Sequence, residues 1–187
     1  MGYISFNIQI ERKSIVVVGG GRVAERKVCN IVPAGALITV ISPTLTIGLQ
    51  KLRDSKIIVH LSREYQPGDL SDAFMVIAAT NSSQINCSVA DEAKKLGILA
   101  EITDNPSAGD ITSPAIIRQG DLSIAISTNN IAPSLSVAIK RQLTPLFGTE
   151  YAKSIRANVI TPSVVLCFRI IPANGMAKRG RLNASGG

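Results

Sequence analysis

The sequence predicts an α/β fold: a doubly wound parallel sheet followed by a small unit of one β-hairpin and one helix. Three observations predict it. Strand-like and helix-like segments alternate through about residue 104. Gly19-Gly20-Gly21 stands between a short β-branched run and a stretch with helical spacing. Beyond residue 104 the alternation gives way to two strand-like runs separated by Gln119-Gly120-Asp121, a turn signal. A chain of 187 residues with 45% apolar side chains carries enough material for the core of such a fold.

Each element has its own reason. Ile4, Phe6, Ile8 and Ile10 alternate with polar residues and predict an edge or half-buried strand. Residues 14–18 form a short β-branched run ending at glycine, the mark of a buried parallel strand. Residues 23–32 have helical spacing and end at Pro33-Ala34-Gly35. A strand over 37–41, a helix over 45–52 and a strand over 57–61 follow. Residues 73–79 are wholly apolar, and Thr80-Asn81-Ser82-Ser83 after them suits the capping of a helix over 85–96. A strand over 98–103 closes at Asp104-Asn105-Pro106. The hairpin strands are expected at 111–118 and 122–127, and a helix with proline in its first turn at 133–143. The units divide as 1–112 for the sheet, 113–150 for the hairpin and helix, and 151–187 for a basic tail. The second unit is too small to carry its own core and is expected to pack on the sheet or on another subunit.

Composition excludes several classes of function. The net charge of +7 suggests a polyanion partner until it is located. Residues 1–150 hold 14 basic side chains against 13 acidic ones, whereas 151–187 hold six basic residues and no acid. The body is near neutral, so nucleic acid is not an expected partner. Aromatic residues are 4%, too few for a base-stacking platform. Cys29, Cys87 and Cys167 lie far apart and predict neither a disulfide framework nor a zinc site; they read as small buried hydrophobes. One histidine, His60, cannot build a metal centre of several imidazoles, and in an apolar strand it reads as structural or half-exposed. No secretory signal and no spanning stretch are recognised, which predicts a soluble, cytoplasmic protein in a reducing compartment, with no membrane partner.

Four motifs suggest chemistry. Gly19-Gly20-Gly21-Arg22-Val23-Ala24 is a G-x-G-x-x-A placed after a strand and before a helix. Gly19 permits the tight turn, Gly21 lets backbone approach a pyrophosphate, and helix-start amides face the phosphates. The acid expected about 20 residues on is missing. Ser42-Pro43-Thr44 stands there instead, with hydroxyls for a ribose and no charge to separate NAD from NADP. Ala79, Thr80 and Asn81 follow an apolar strand at the edge where α/β sheets bind ligands, although the same residues suit a helix cap. Asp104 ends another strand and suits either proton transfer or a simple turn before proline. Ser127, Thr128 and Asn129 lead into a helix, where hydroxyls, amides and free N–H groups suit carboxylate binding or an ordinary capped turn.

Taken together, these segments resemble the precorrin-2 dehydrogenase family, the N-terminal module of siroheme synthases. The resembling stretches are VVVGGGRVAERKV, AGALITVISP, REYQPGDL, VIAATN, ITDNP and SPAIIRQGDLSIAISTNNIAPSLSVAIKRQL, which together cover about residues 1–153 in order. The resemblance implies a Rossmann domain, a dimerisation region and a helical C-terminal region. It implies NAD-dependent dehydrogenation of precorrin-2 to sirohydrochlorin on the way to siroheme or cobalamin, by a homodimer. It places the catalytic aspartate at Asp104 and cofactor contacts at Arg22, Val23, Pro43 and Thr44, and it favours NAD over NADP. Glu101 stands where the family commonly has Asn, and Asn129-Asn130 where it often has glycines. The family's charged helical continuation does not match 154–187, which has two prolines and no acid.

Two functions of different class fit the motifs: the dehydrogenase, and a non-catalytic NAD-binding regulatory module. Some members of the family also insert ferrous iron. The only imidazole, His60, is expected on a strand away from the cleft, so weak or absent chelation is the expectation here.

Overall fold

The structure, a computed structural model, describes residues 3–151. The tail over 152–187 lies outside the described residues. Ser14–Val18 forms β1, Leu37–Ile41 β2, Ile58–Leu61 β3, Met75–Ala78 β4 and Leu99–Ile102 β5. They make one parallel sheet in the order β3-β2-β1-β4-β5. The centre of the sheet is covered on both faces, which is why Ile15–Val18 of β1 and all of β4 are apolar. Along β1, Ile15 and Val17 face one core, with Ala24, Val28, Val40 and Leu49. Val16 and Val18 face the other, with Leu70, Val89, Ala93 and Ile102.

The helices are α1, Arg22–Ile31; α2, Ile47–Asp54; and α3, Ser83–Leu96. Helix α1 supplies Ala24 and Val28 to one face and α2 supplies Leu49. The opposite face has α3 and, between β3 and β4, no helix at all. An irregular segment over residues 62–74 takes that place and buries Leu70 completely.

The predicted strand over Ile4–Ile10 does not form. Ile4 and Phe6 are about three-quarters exposed, at 75% and 74%. The outer edge of β5 is already partly occupied: Asp110 and Ile111 donate backbone N–H to the Ala100 carbonyl. Alternation alone cannot reveal whether a vacant sheet edge lies within reach.

The second unit is a hairpin, β6 (Ala115–Gln119) and β7 (Leu122–Ile126), with α4 over Pro133–Leu143. Gly120 occupies the left-handed region at the turn, φ +60°. The Arg118 guanidinium donates to the Asn30 carbonyl at 3.0 Å and ties the hairpin to the end of α1.

One further expectation is corrected. Cys29 and Cys87 are exposed free thiols, because each falls on the solvent side of its helix; Cys167 lies outside the described residues. His60 is half-buried, as its strand predicts, and does not line the cleft described below; its Nε2 lies 2.9 Å from the Ser42 carbonyl oxygen and braces the end of β2.

Candidate functional site: a glycine-lined cleft and a carboxylate at the sheet edge

At the carboxyl ends of β1, β2 and β4 the chain encloses a cleft of about 380 Å³. Its floor is the glycine turn. Gly19 has φ +117°, and a Cβ there would lie 2.4 Å from the Ala79 carbonyl oxygen. A Cβ on Gly20 would lie 1.9 Å from the Thr44 carbonyl oxygen, and Thr46 N–H donates to the Gly20 carbonyl. The turn and the segment after β2 are therefore in backbone contact. Around a Cβ on Gly21 there is nothing within 4 Å. Gly21 caps α1 without any side-chain hydrogen bond, so the first amides of this ten-residue helix stay available to an anion. That combination of a compressed turn, an open third glycine and free helix-start N–H groups fits a dinucleotide pyrophosphate.

Ser42, Pro43, Thr44, Leu45 and Thr46 form one wall and Ala79, Thr80, Asn81 and Ile85 another. Glu64 and Tyr65, from the segment after β3, line it as well. That segment is pinned at several points. Arg63 makes a two-pronged bond to Asp69 at 2.7 and 2.6 Å, and the Gln66 N–H donates to Asp69. The Arg63 guanidinium beside Asp69 holds that carboxyl below the usual carboxylate range, against partial burial. Glu92 of α3 accepts from the Tyr65 hydroxyl and from the backbone of Gly68 and Leu70. Burial, reinforced by that carboxylate, pushes the Tyr65 phenol far above its ordinary value and keeps it neutral.

Thr80 connects this cleft to Asp104. Asn86, buried on α3, accepts from the Thr80 hydroxyl at 2.8 Å and donates to the Thr80 carbonyl at 3.2 Å. Asp104 follows β5 and accepts from the Ser83 hydroxyl at 2.9 Å. Partial desolvation alone would raise its carboxyl. Hydrogen bonds from Asn86, Ser83 and the backbone of Asp104 and Asn105 outweigh it and hold the group below the ordinary range. Asp104 is thus an exposed, ionised carboxylate, able to accept a proton. It does not itself line the cleft.

A second cavity, of about 730 Å³, separates α1 from the hairpin and α4. Ser127, Thr128 and Asn130 line it with four cations: Arg26, Lys27, Lys140 and Arg141. Thr128 bonds to the buried Ser136 at 3.1 Å. Asn129 is not among the lining residues; its N–H is held by the Ser127 hydroxyl. Asn129 and Asn130 both adopt positive φ, 51° and 59°, a conformation that Asn tolerates and glycine takes freely. The two cavities share no lining residue.

The structure therefore brings Gly19, Gly21, Ser42, Pro43, Thr44, Ala79, Thr80 and Asn81 into one cleft. Arg22 and Val23 open α1 but are exposed and lie outside the lining, because the first turn carries their side chains away from it. Motif reasoning missed Gly20, Glu64 and Tyr65. The REYQPGDL stretch drew attention only as a resemblance, since no periodicity announces an irregular segment.

Comparisons with known proteins agree with this geometry. The family model described as Putative NAD(P)-binding matches residues 6–115. Siroheme synthase 1 of Aeromonas salmonicida is 36% identical over 165 residues, covering 85% of this chain and 35% of the relative. Siroheme synthase of Nitrosomonas europaea is 31% identical over 154 residues, covering 82% and 32%. The chain thus spans about a third of the length of the curated relatives it matches. A solved structure titled SirC, precorrin-2 dehydrogenase, superposes with a TM-score of 0.69 at 27% identity, covering 82% of this chain and 76% of that one. No helix among the described residues is long and apolar enough to cross a membrane.

Proposed function

The chain belongs to this NAD(P)-binding family, and from that premise we propose that it dehydrogenates precorrin-2 to sirohydrochlorin with NAD as the acceptor. The observation that carries the reading is the run of hydrogen bonds from Thr80 in the cleft through Asn86 towards an ionised Asp104. Oxidation of precorrin-2 removes one hydride and one proton. The nicotinamide, when bound, supplies the hydride acceptor. Asp104 takes the proton, while Ser83 and Asn86 hold its carboxylate in place. The free amides at the start of α1 would hold the pyrophosphate, and Ser42 and Thr44, which line the cleft, would hold the ribose.

The substrate is rich in carboxylates. Ser127 and Thr128 are its proposed contacts, Asn129 lying outside the lining, and the nearby Lys140 and Arg141 supply the charge that would attract it. The 113–150 unit is the proposed dimerisation region. Ile131, Leu135, Val137 and Leu146 are each at least half exposed there, an apolar surface that a second copy would cover. Cysteines widely spaced in sequence, with Cys29 and Cys87 unpaired among the described residues, support a cytoplasmic setting.

The test is incubation of the purified chain with precorrin-2 and NAD. Sirohydrochlorin and NADH absorbance are expected to rise together, one for one. Tight NAD binding with neither chromophore would instead favour the regulatory module. Adding ferrous iron to the same reaction reads chelation separately.

A further inference from the structure

We infer that Glu64 is the carboxylate that makes the cleft select NAD over NADP, replacing the acid absent after β2. This rests on the reading of the cleft as a dinucleotide site. In such sheets the adenosine ribose lies over the end of the second strand, where an acid ordinarily receives its hydroxyls. Here that position reads Ser42-Pro43-Thr44 and carries no charge. The neighbouring strand fills the gap. Ile41 of β2 pairs with Leu61 of β3, so the residues after each strand rise side by side. The Ser62 hydroxyl reaches the Pro43 carbonyl at 3.5 Å, and Glu64 comes next along the same wall.

Glu64 is the one charged residue among those lining the cleft. Its carboxylate makes no hydrogen bond or ion pair within the described residues. The adjacent cation is already committed: Arg63 grips Asp69 with both terminal nitrogens and donates to the Glu64 carbonyl at 2.9 Å. Tyr65, on the other side, is fixed by Glu92. The backbone of Glu64 is therefore clamped between two anchored residues, while its side chain is left for a ligand. A free carboxylate on a wall without cations accepts hydrogen bonds from ribose hydroxyls and repels a 2′-phosphate.

The experiment measures NAD(H) and NADP(H) isotherms for the full chain and for Glu64→Gln and Glu64→Ala, by nicotinamide fluorescence at low and high salt. The wild type is expected to discriminate against NADP at least tenfold, less so as salt screens the repulsion. Glu64→Gln is expected to bring the two affinities about tenfold closer (about 1.4 kcal/mol) and to abolish the salt dependence of their ratio. Its melting temperature should match the wild type, since the carboxylate holds nothing in the fold. An unchanged affinity ratio in Glu64→Gln, with NAD still bound, overturns the inference and leaves the dinucleotide reading standing. A wild type that binds NADP as tightly as NAD also overturns it. A wild type that binds neither overturns both.

Discussion

Lys27 Nζ lies 2.5 Å from the Glu101 carboxylate, and both side chains are buried, at 11% and 8% exposure. The pair joins α1 to β5 beneath the entry to the hairpin. Glu101 also accepts from the Ser113 N–H and hydroxyl, each at 2.8 Å. This network therefore sets how the second unit departs from the sheet. Removing one member of a buried pair leaves the other charge uncompensated, at a cost of about 3–5 kcal/mol. Lys27→Met should lower unfolding free energy by that order. Lys27→Met with Glu101→Leu should recover part of it, the remainder reflecting the orphaned Ser113. Urea unfolding of the two single variants and the double checks this; strictly additive losses would contradict it.

The glycines should separate by role. Gly20→Ala forces a Cβ against the Thr44 carbonyl and should lower both the melting temperature and NAD affinity. Gly21→Ala points into open space and should leave melting unchanged while weakening NAD. Calorimetric melting and NAD titration of both variants test the contrast.

Asp104→Ala should lower turnover by about 10²-fold or more, the usual worth of a positioned acid–base group, with NAD affinity little changed. Because its folded-state carboxyl is held below the ordinary range, the base form is complete at neutral pH and is lost only as pH falls through that lowered value. Across roughly pH 5–8, kcat/KM should show no acid limb from this group. A limb near neutrality, absent in Asp104→Asn, would refute the assignment.

The Arg63–Asp69 bond should make the wall loop acid-sensitive only at low pH. A depressed carboxylate stabilises above its unfolded value, 3.8, and the contribution disappears as pH falls through the lower folded value. Hydrogen exchange at the Gln66 amide, which donates to Asp69, should remain slow down to that region. Asp69→Asn should speed it at all pH values.

A homodimer should form through the 113–150 unit. Leu135→Asp with Val137→Asp, both at exposed apolar positions, should yield a monomer by sedimentation with the sheet still folded. A wild type that sediments as an active monomer would end the proposal.

The sheet was legible because burial on both faces writes itself into sequence: 15–18 and 73–79 are wholly apolar, 37–41 is apolar but for Thr39, and local spacing determines the helices between them. The helix Pro133–Leu143 falls where its proline and periodicity put it. Gly19, Gly21 and the residues after β2 and β4 were likewise readable, since a strand–glycine–helix order fixes where a parallel sheet opens. Tertiary structure alone decided the rest. The alternation of Ile4–Ile10 predicts a strand, yet pairing requires a vacant edge, and the outer edge of β5 is partly filled by Asp110 and Ile111. Gly20, the unspecified position of the motif, is confined by the Thr44 carbonyl, a contact between segments more than 20 residues apart. Glu64 reaches the cleft because β3 pairs beside β2 and because Asp69 and Glu92 anchor its neighbours. Sequence records which faces must be buried, since that is a local property of each side chain. Which carboxylate meets which arginine, and which is left for a ligand, depends on long-range register, and that exists only once the sheet has formed.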